Sequence, residues 1–299
     1  MNLPIEMTLS AKVALGTVQF GLPYGVANRG GQVSPTEAKE MLKFASASGV
    51  DTLDTAISYG DSETRLGQLG VDDFRIVTKL PPLPADCVDV GAWVHGQTLL
   101  SLRRLNVRSL HGLLLHRPDD LLGGQGETVY RSLCELREQG LVRKIGISVY
   151  SLADLSTIVA RSRIDLVQAP FNLVDRRLHA TGWLRRLKSD GIEVHVRSVF
   201  LQGLLLMPQR ELPPRFARWN GLFDKWYAWL AASEVSPIHA CLAFALAFEG
   251  IDRVIVGADN LRQLEEIISA SLCLPSNAMF PDIQSSDQGL INPACWSST

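Results

Sequence analysis

Short runs rich in β-branched and apolar residues alternate with helix-period segments along most of this chain, and no other feature restricts its fold as strongly. Eight runs read as strands: Val13–Gly16, Thr52–Asp54, Arg75–Lys79, Leu110–His116, Lys144–Ser148, Leu166–Gln168, Ile192–Ser198 and Arg253–Gly257. The clearest intervening helix opens at Ser34-Pro35-Thr36-Glu37, where serine caps, proline suits the first turn and Glu37 is placed to reach back as a capping box. Its apolar residues Ala38, Met41, Leu42 and Ala45 recur at helical spacing, and Gly49 stands where a left-handed stop is needed. Another helix runs to about Gly140, and a third is expected to open at Ser151-Leu152-Ala153-Asp154.

Strand, helix, strand repeated in this way implies right-handed parallel crossovers, and eight units in about 260 residues suit a closed (β/α)₈ TIM barrel. No GxGxxG follows the first strand, so the main sign of an open dinucleotide-binding sheet is missing. The expectation is one α/β barrel domain over residues 1–299, with 276–299 as an extended C-terminal tail. The long segment from Leu201 to Phe248 and that tail are the places where chain could fold over a barrel mouth.

The composition of the 299 residues excludes several functions. With 46% hydrophobic and 20% charged residues the chain can bury a large core, and 29 basic against 31 acidic side chains leave no electrostatic footprint for nucleic acid or an anionic membrane. The start, Met1 to Glu6, lacks signal-peptide features and no apolar run is long enough to span a bilayer, which points to the cytoplasm and a small-molecule partner. The five cysteines (Cys87, Cys134, Cys241, Cys273, Cys295) are scattered without a CxxC pair, and the six histidines lack ligand spacing, so neither disulfides nor a metal is expected.

Barrel enzymes carry their chemistry at the C-terminal strand ends, and the polar residues that end apolar runs here are Asp54, Lys79 and His116, with Tyr59 on the loop after Asp54. An acid at a buried strand end needs a cation, which Lys79 on the neighbouring strand supplies. A phenol beside that ammonium is expected to have a lowered pKa and to act as an acid, with His116 orienting or polarising the same substrate oxygen. Two other chemistries use the same residues: Lys79 as the Schiff-base nucleophile of a lyase, and a nucleotide-binding regulatory barrel with little turnover.

Several segments together resemble the aldo-keto reductases. Gly16-Thr17-Val18-Gln19-Phe20-Gly21 is similar to that family's GTxxFG, and Asp54 through Glu63 to its DTAxxYGxxE signature. Arg75–Lys79 resembles its lysine strand, Leu113–Asp119 its histidine strand, Gly140–Ser148 its GKIRxIGVSN pattern and Asp165–Asn172 its VxQxxYN stretch. The ending Asn292-Pro293-Ala294-Cys295-Trp296 resembles that of many bacterial members.

The resemblance implies carbonyl reduction by hydride transfer, on an aldehyde or ketone, sugar-like ones included, with Asp54, Tyr59, Lys79 and His116 as catalytic tetrad and Tyr59 as general acid. It implies a nicotinamide cofactor held by Gly16, Thr17, Asp54, Ser148, Gln168, Arg197, Ser198, Phe200, Gln202, Gly203, Gly257, Arg262 and Gln263, with Arg197 where the family stacks an aromatic ring. NADPH is the cofactor implied, with NADH as the alternative, because Arg262 could offset the acid Asp259. Helix amides after Gly257 would attract its phosphate. Tyr24, Tyr59, His116 and Arg117 are the expected substrate contacts, with Pro81–Pro84 nearby. The aromatic residues Trp219, Phe223, Trp226 and Tyr227 read as helix core, and a monomer or weak homo-oligomer is expected.

Overall fold

The computed structural model of the chain describes residues 12–272 and 280–296. Eight parallel strands close into a barrel in sequence order, each hydrogen-bonded to the next and β8 to β1. The strands are β1 Val13–Gly16, β2 Thr52–Asp54, β3 Arg75–Leu80, β4 Leu110–Leu115, β5 Val142–Ser148, β6 Leu166–Pro170, β7 Glu193–Arg197 and β8 Arg253–Val256. Outside them lie α1 Pro35–Ala47, α2 Ser62–Leu69, α3 Val90–Leu105, α4 Gly126–Glu138, α5 Leu155–Arg161, α6 Trp183–Ser189, α7 Asn220–Ser233, α8 Pro237–Leu246 and α9 Leu261–Leu272. The (β/α)₈ expectation is met.

Strands covered on both faces are mostly apolar, and every residue of β1, β2 and β6 is buried, including the polar Thr52, Asp54 and Gln168. Inside the barrel Val77, Leu114 and Leu166 form a small cluster of their own, filling the space between small residues such as Gly112 and Gly146. Gly146 has no alternative there, because a β-carbon would lie 1.9 Å from the Leu166 carbonyl oxygen.

Helix α1 is capped by Ser34, whose hydroxyl accepts from the Glu37 N–H, and it buries Ala38, Met41, Leu42 and Ala45 before Gly49 turns left-handed at φ 82°. The Glu37 carboxylate does not complete a capping box. It accepts instead from the Leu261 N–H at the start of α9, 2.6 Å away. Helix α5 begins at Leu155, later than expected, since Ser151 is used in a local turn with Ala153.

The C-terminal segment is not simply extended. Residues 276–279 and 297–299 of the expected tail, like Cys273, lie outside the described residues, while 280–296 contain the helical turns Gln288–Ile291 and Pro293–Cys295. Arg176 donates to the Pro281 carbonyl, Ser285 to that of Val174, and Trp296 packs edge-on against Phe216. Helix α7 buries Phe223 and Trp226, and Tyr227 donates to the Met207 carbonyl, so the aromatic stripe is core as expected. The described cysteines carry no disulfide, and among the described residues no single helix is long and apolar enough to cross a membrane.

Candidate active site

Parallel pairing aligns the strand ends on one face of the barrel. Gly16 is paired with Asp54, Asp54 with Val77 and Ser148 with Gln168, so the polar residues that end these strands meet around one mouth. Lys79 lies two residues beyond the partner of Asp54 and its side chain reaches that acid: Nζ donates to Asp54 Oδ1 at 2.8 Å, Asp54 Oδ2 at 2.7 Å and the Thr55 carbonyl at 2.8 Å. Three donors meet three acceptors, and an ammonium that is 1% exposed has its hydrogens fully used. Burial pulls the Lys79 pKa below its ordinary value while Asp54 opposes the shift.

The loop carrying Tyr59 is fixed by close backbone approach. Gly60 adopts φ 57°, and a β-carbon on it would stand 2.4 Å from the Gly21 carbonyl oxygen. Beneath it Ser62 donates to the Thr17 carbonyl at 2.8 Å, and the Thr17 hydroxyl donates to that of Asp54. Two of the motifs are therefore one docked unit. Glu63 serves this unit from behind, buried and accepting from Thr78, Ser101 and Arg104, so its role is to hold α2 against β3 and α3.

Tyr59 packs edge-on against His116, with ring centroids 5.9 Å apart, and Lys79 Nζ lies 5.2 Å from the Tyr59 ring centre. All four tetrad residues are thus gathered. The expected fall in the Tyr59 pKa is not found: burial raises it and the Asp54 carboxylate adds to the rise, with Arg197 opposing them. The Lys79 ammonium that was expected to lower it lies against the Asp54 carboxylate, whose opposite charge offsets it. His116 is pushed down to about 4 by burial, then by Lys79 and Arg197, so its imidazole is neutral near pH 7. Its Nδ1 lies 3.1 Å from the Ser58 hydroxyl, a partner that sequence reasoning missed.

These groups border a cleft of about 460 Å³. Asp54, Tyr59, His116, Ser148, Gln168 and Arg197 line it together with Gly16, Thr17, Ser198, Phe200, Gln202 and Gly203. Gly257, Asp259, Gln263 and Glu266 line the same cleft. Tyr24 lines it too, with its hydroxyl accepting from Gln202 Nε2 at 2.9 Å. The segment from Ser198 to Gly203 holds three side-chain-bearing residues at positive φ, Ser198, Leu201 and Gln202, a concentration of strain of the kind found at ligand clamps.

Not every expected contact is in place. Lys79 lies behind the lining, Arg117 is exposed and outside it, and neither Pro81–Pro84 nor the α7 aromatics border it. Arg262 is also outside the lining and pairs with Glu266. Three of the amides after Gly257 are engaged within the protein: Leu261 N–H is bound to Glu37, Gln263 N–H to the Asn260 side chain and Asp259 N–H to Gln263 Oε1. Gln168 Nε2 donates to Asp54 Oδ1 at 2.7 Å, and the Ser148 hydroxyl lies 3.4 Å from Gln168 Oε1.

Arg197 neither pairs with an acid nor stands free. Its guanidinium donates to the Val149 carbonyl at 3.0 Å and lies over the Tyr150 ring, 4.1 Å from its centre. Tyr150 was missed because nothing in the sequence marks a half-exposed aromatic after β5 as a cleft residue. Gln19 was missed as well: its Oε1 is buried in the cleft wall with no hydrogen-bond partner among the described residues, which leaves an acceptor for a bound donor.

Comparison with known proteins follows this geometry. Residues 12–288 match the model described as the Aldo/keto reductase family. The uncharacterized oxidoreductase YqkF of Bacillus subtilis is 30% identical over 260 residues, 79% of this chain and 82% of that protein. The holo form of aldo-keto reductase AKR11C1 from Bacillus halodurans is similar in fold, with a TM-score of 0.72 at 21% identity over 88% of this chain and 87% of that one. Glycerol dehydrogenase AKR11B4 from Gluconobacter oxydans gives 0.67 at 21% identity over 87% and 86%.

Proposed function

The chain belongs to the aldo/keto reductase family, and from that premise we propose that it reduces an aldehyde or ketone to an alcohol, with Tyr59 delivering the proton and a nicotinamide dinucleotide bound along the cleft. When bound, the dinucleotide supplies the hydride. The observation that carries the reading is the meeting of Tyr59, His116 and the Asp54–Lys79 pair beside a cleft of about 460 Å³ whose lining also takes in residues after β1, β7 and β8. The polar groups suit such a ligand: an acceptor oxygen on Gln19 without a partner among the described residues, a hydroxyl on Ser148 and a strained backbone segment at Ser198–Gly203.

The phenol keeps its proton in the resting state, because burial and the Asp54 carboxylate both disfavour its anion. A substrate oxygen gaining negative charge becomes more basic than a phenolate and takes that proton. The phenolate formed is then stabilised by the Arg197 guanidinium, which already acts to lower the Tyr59 pKa. His116 is neutral and holds Ser58 at Nδ1; with the Ser58 hydroxyl donating there, Nε2 carries the hydrogen that orients the substrate oxygen. Asp54 keeps Lys79 charged beside the ring, and Gln168 in turn holds Asp54.

A Schiff-base role for Lys79 is poorly served, since its hydrogens are all engaged and it does not reach the cleft lining. The experiment is a panel of aldehydes, ketones and sugars assayed by loss of reduced-nicotinamide absorbance, with the unaltered chain and Tyr59→Phe side by side. Turnover that depends on Tyr59 supports the reading, while dinucleotide binding with no turnover across the panel favours a regulatory barrel.

A further inference from the structure

A dinucleotide with its reactive ring beside Tyr59 and His116 leaves its adenosine half for another part of the same cleft, and Gly257, Asp259 and Glu266 after β8 line that cleft too. What distinguishes the two nicotinamide cofactors is whether that adenosine ribose carries a hydroxyl or a phosphate on its 2′ carbon. The hydroxyl donates a hydrogen bond; the phosphate brings about −1.5 to −2 charges and only accepts.

This part of the cleft carries acceptors and the carboxylates of Asp259 and Glu266. Asp259 lines it, fixed by the Asn28 amide at 2.9 Å, and Glu266 lines it from the first turns of α9. The Gln19 carboxamide lies against Gly257, where a β-carbon would stand 2.5 Å from its nitrogen, and its buried oxygen has no partner among the described residues. The start of α9, which would attract a phosphate, already holds the Glu37 carboxylate on Leu261 N–H at 2.6 Å. The two arginines of this region are each paired with an acid, Arg262 with Glu266 and the cleft residue Arg29 with Glu211, which leaves Asp259 as the carboxylate held by an amide and not by a cation.

We infer that this chain selects the unphosphorylated cofactor, NADH over NADPH, with Asp259 accepting from the adenosine ribose and Glu37 occupying the helix end that a 2′-phosphate would need. The inference rests on the reductase reading above and sharpens it. It runs against the NADPH expected from resemblance, and the reason is local: the helix amides that the resemblance assigns to phosphate are bonded within the protein.

The test is equilibrium binding, independent of turnover. Quenching of tryptophan fluorescence is titrated with NADH and NADPH, and with ADP against its 2′-phosphorylated counterpart. The expected result is at least tenfold tighter binding of NADH, and of ADP over the phosphorylated fragment, in the unaltered chain. Asp259→Ser and Glu37→Gln, each checked for folding by circular dichroism, are expected to narrow that ratio by threefold or more. Equal or tighter binding of NADPH by the unaltered chain overturns the inference while leaving the reductase reading intact. An unchanged ratio in both folded variants removes Asp259 and Glu37 from the selection. Binding of neither dinucleotide overturns both readings together.

Discussion

Gln168 Nε2 donates to Asp54 Oδ1 over 2.7 Å, which joins a β6 amide at the cleft surface to the acid that holds Lys79. Substitution at Gln168 therefore reaches both binding and chemistry. Gln168→Leu is expected to weaken dinucleotide binding and lower kcat together, each by roughly tenfold, since a hydrogen bond to a charged group contributes about 1.5–3 kcal/mol. Fluorescence titration and steady-state rates check this; a loss in binding with kcat untouched would show that the bond to Asp54 is inert.

The Asp54–Lys79 pair makes a stability prediction with a defined sign. Asp54→Leu leaves a buried ammonium without its acid, an arrangement that costs about 3–5 kcal/mol. The double variant Asp54→Leu/Lys79→Met removes both charges and is expected to be more stable than the single one, although inactive. Urea denaturation of the two proteins measures the difference, and a double variant less stable than Asp54→Leu would contradict the account.

His116 lies at about 4 because burial and the neighbouring Lys79 and Arg197 cations disfavour its charged form. The imidazole is then neutral at every pH above that value, and kcat/KM should show no inflection near the ordinary histidine value of about 6.5. Ser58→Ala removes the partner of Nδ1 and is expected to cut kcat several-fold without restoring an inflection there. A step near 6.5 that vanishes in His116→Asn would show the residue to be charged in the working enzyme.

At the opposite end of the barrel Glu193 accepts from His111, His195 and Lys144, and those partners hold its carboxyl well below the usual carboxylate range despite burial. A depressed folded-state pKa contributes stability that is present above the unfolded value, about 4.3, and is lost as pH falls toward the folded value. Glu193→Gln should therefore lower the melting temperature at pH 7 more than at pH 3. Equal losses at the two pH values would assign the effect to packing alone.

The barrel was legible because its strands are continuous apolar runs whose ends fall within two residues of those observed, as with Leu166, where β6 runs on to Pro170. The gathering of Asp54, Tyr59, Lys79 and His116 was legible because each ends a run or follows one closely. Ser58, Tyr150, Gln19 and Glu37 were not, since each acts through a partner far off in sequence: Ser58 through His116, Tyr150 through Arg197, Gln19 beside Gly257 and Glu37 through Leu261. The direction of the Tyr59 shift differs from expectation because the proximity of a lysine was visible, while the depth of burial and the nearness of the Asp54 carboxylate, which both raise it, required coordinates.

The central claim is that the Tyr59 hydroxyl delivers the proton. Single-turnover mixing of the chain, saturated with reduced dinucleotide, against an accepted carbonyl measures that step directly in the unaltered protein and in Tyr59→Phe. The account predicts a roughly 10²- to 10⁴-fold slower turnover in the variant, with dinucleotide affinity changed only a few-fold. A variant that turns over at the original rate would contradict it.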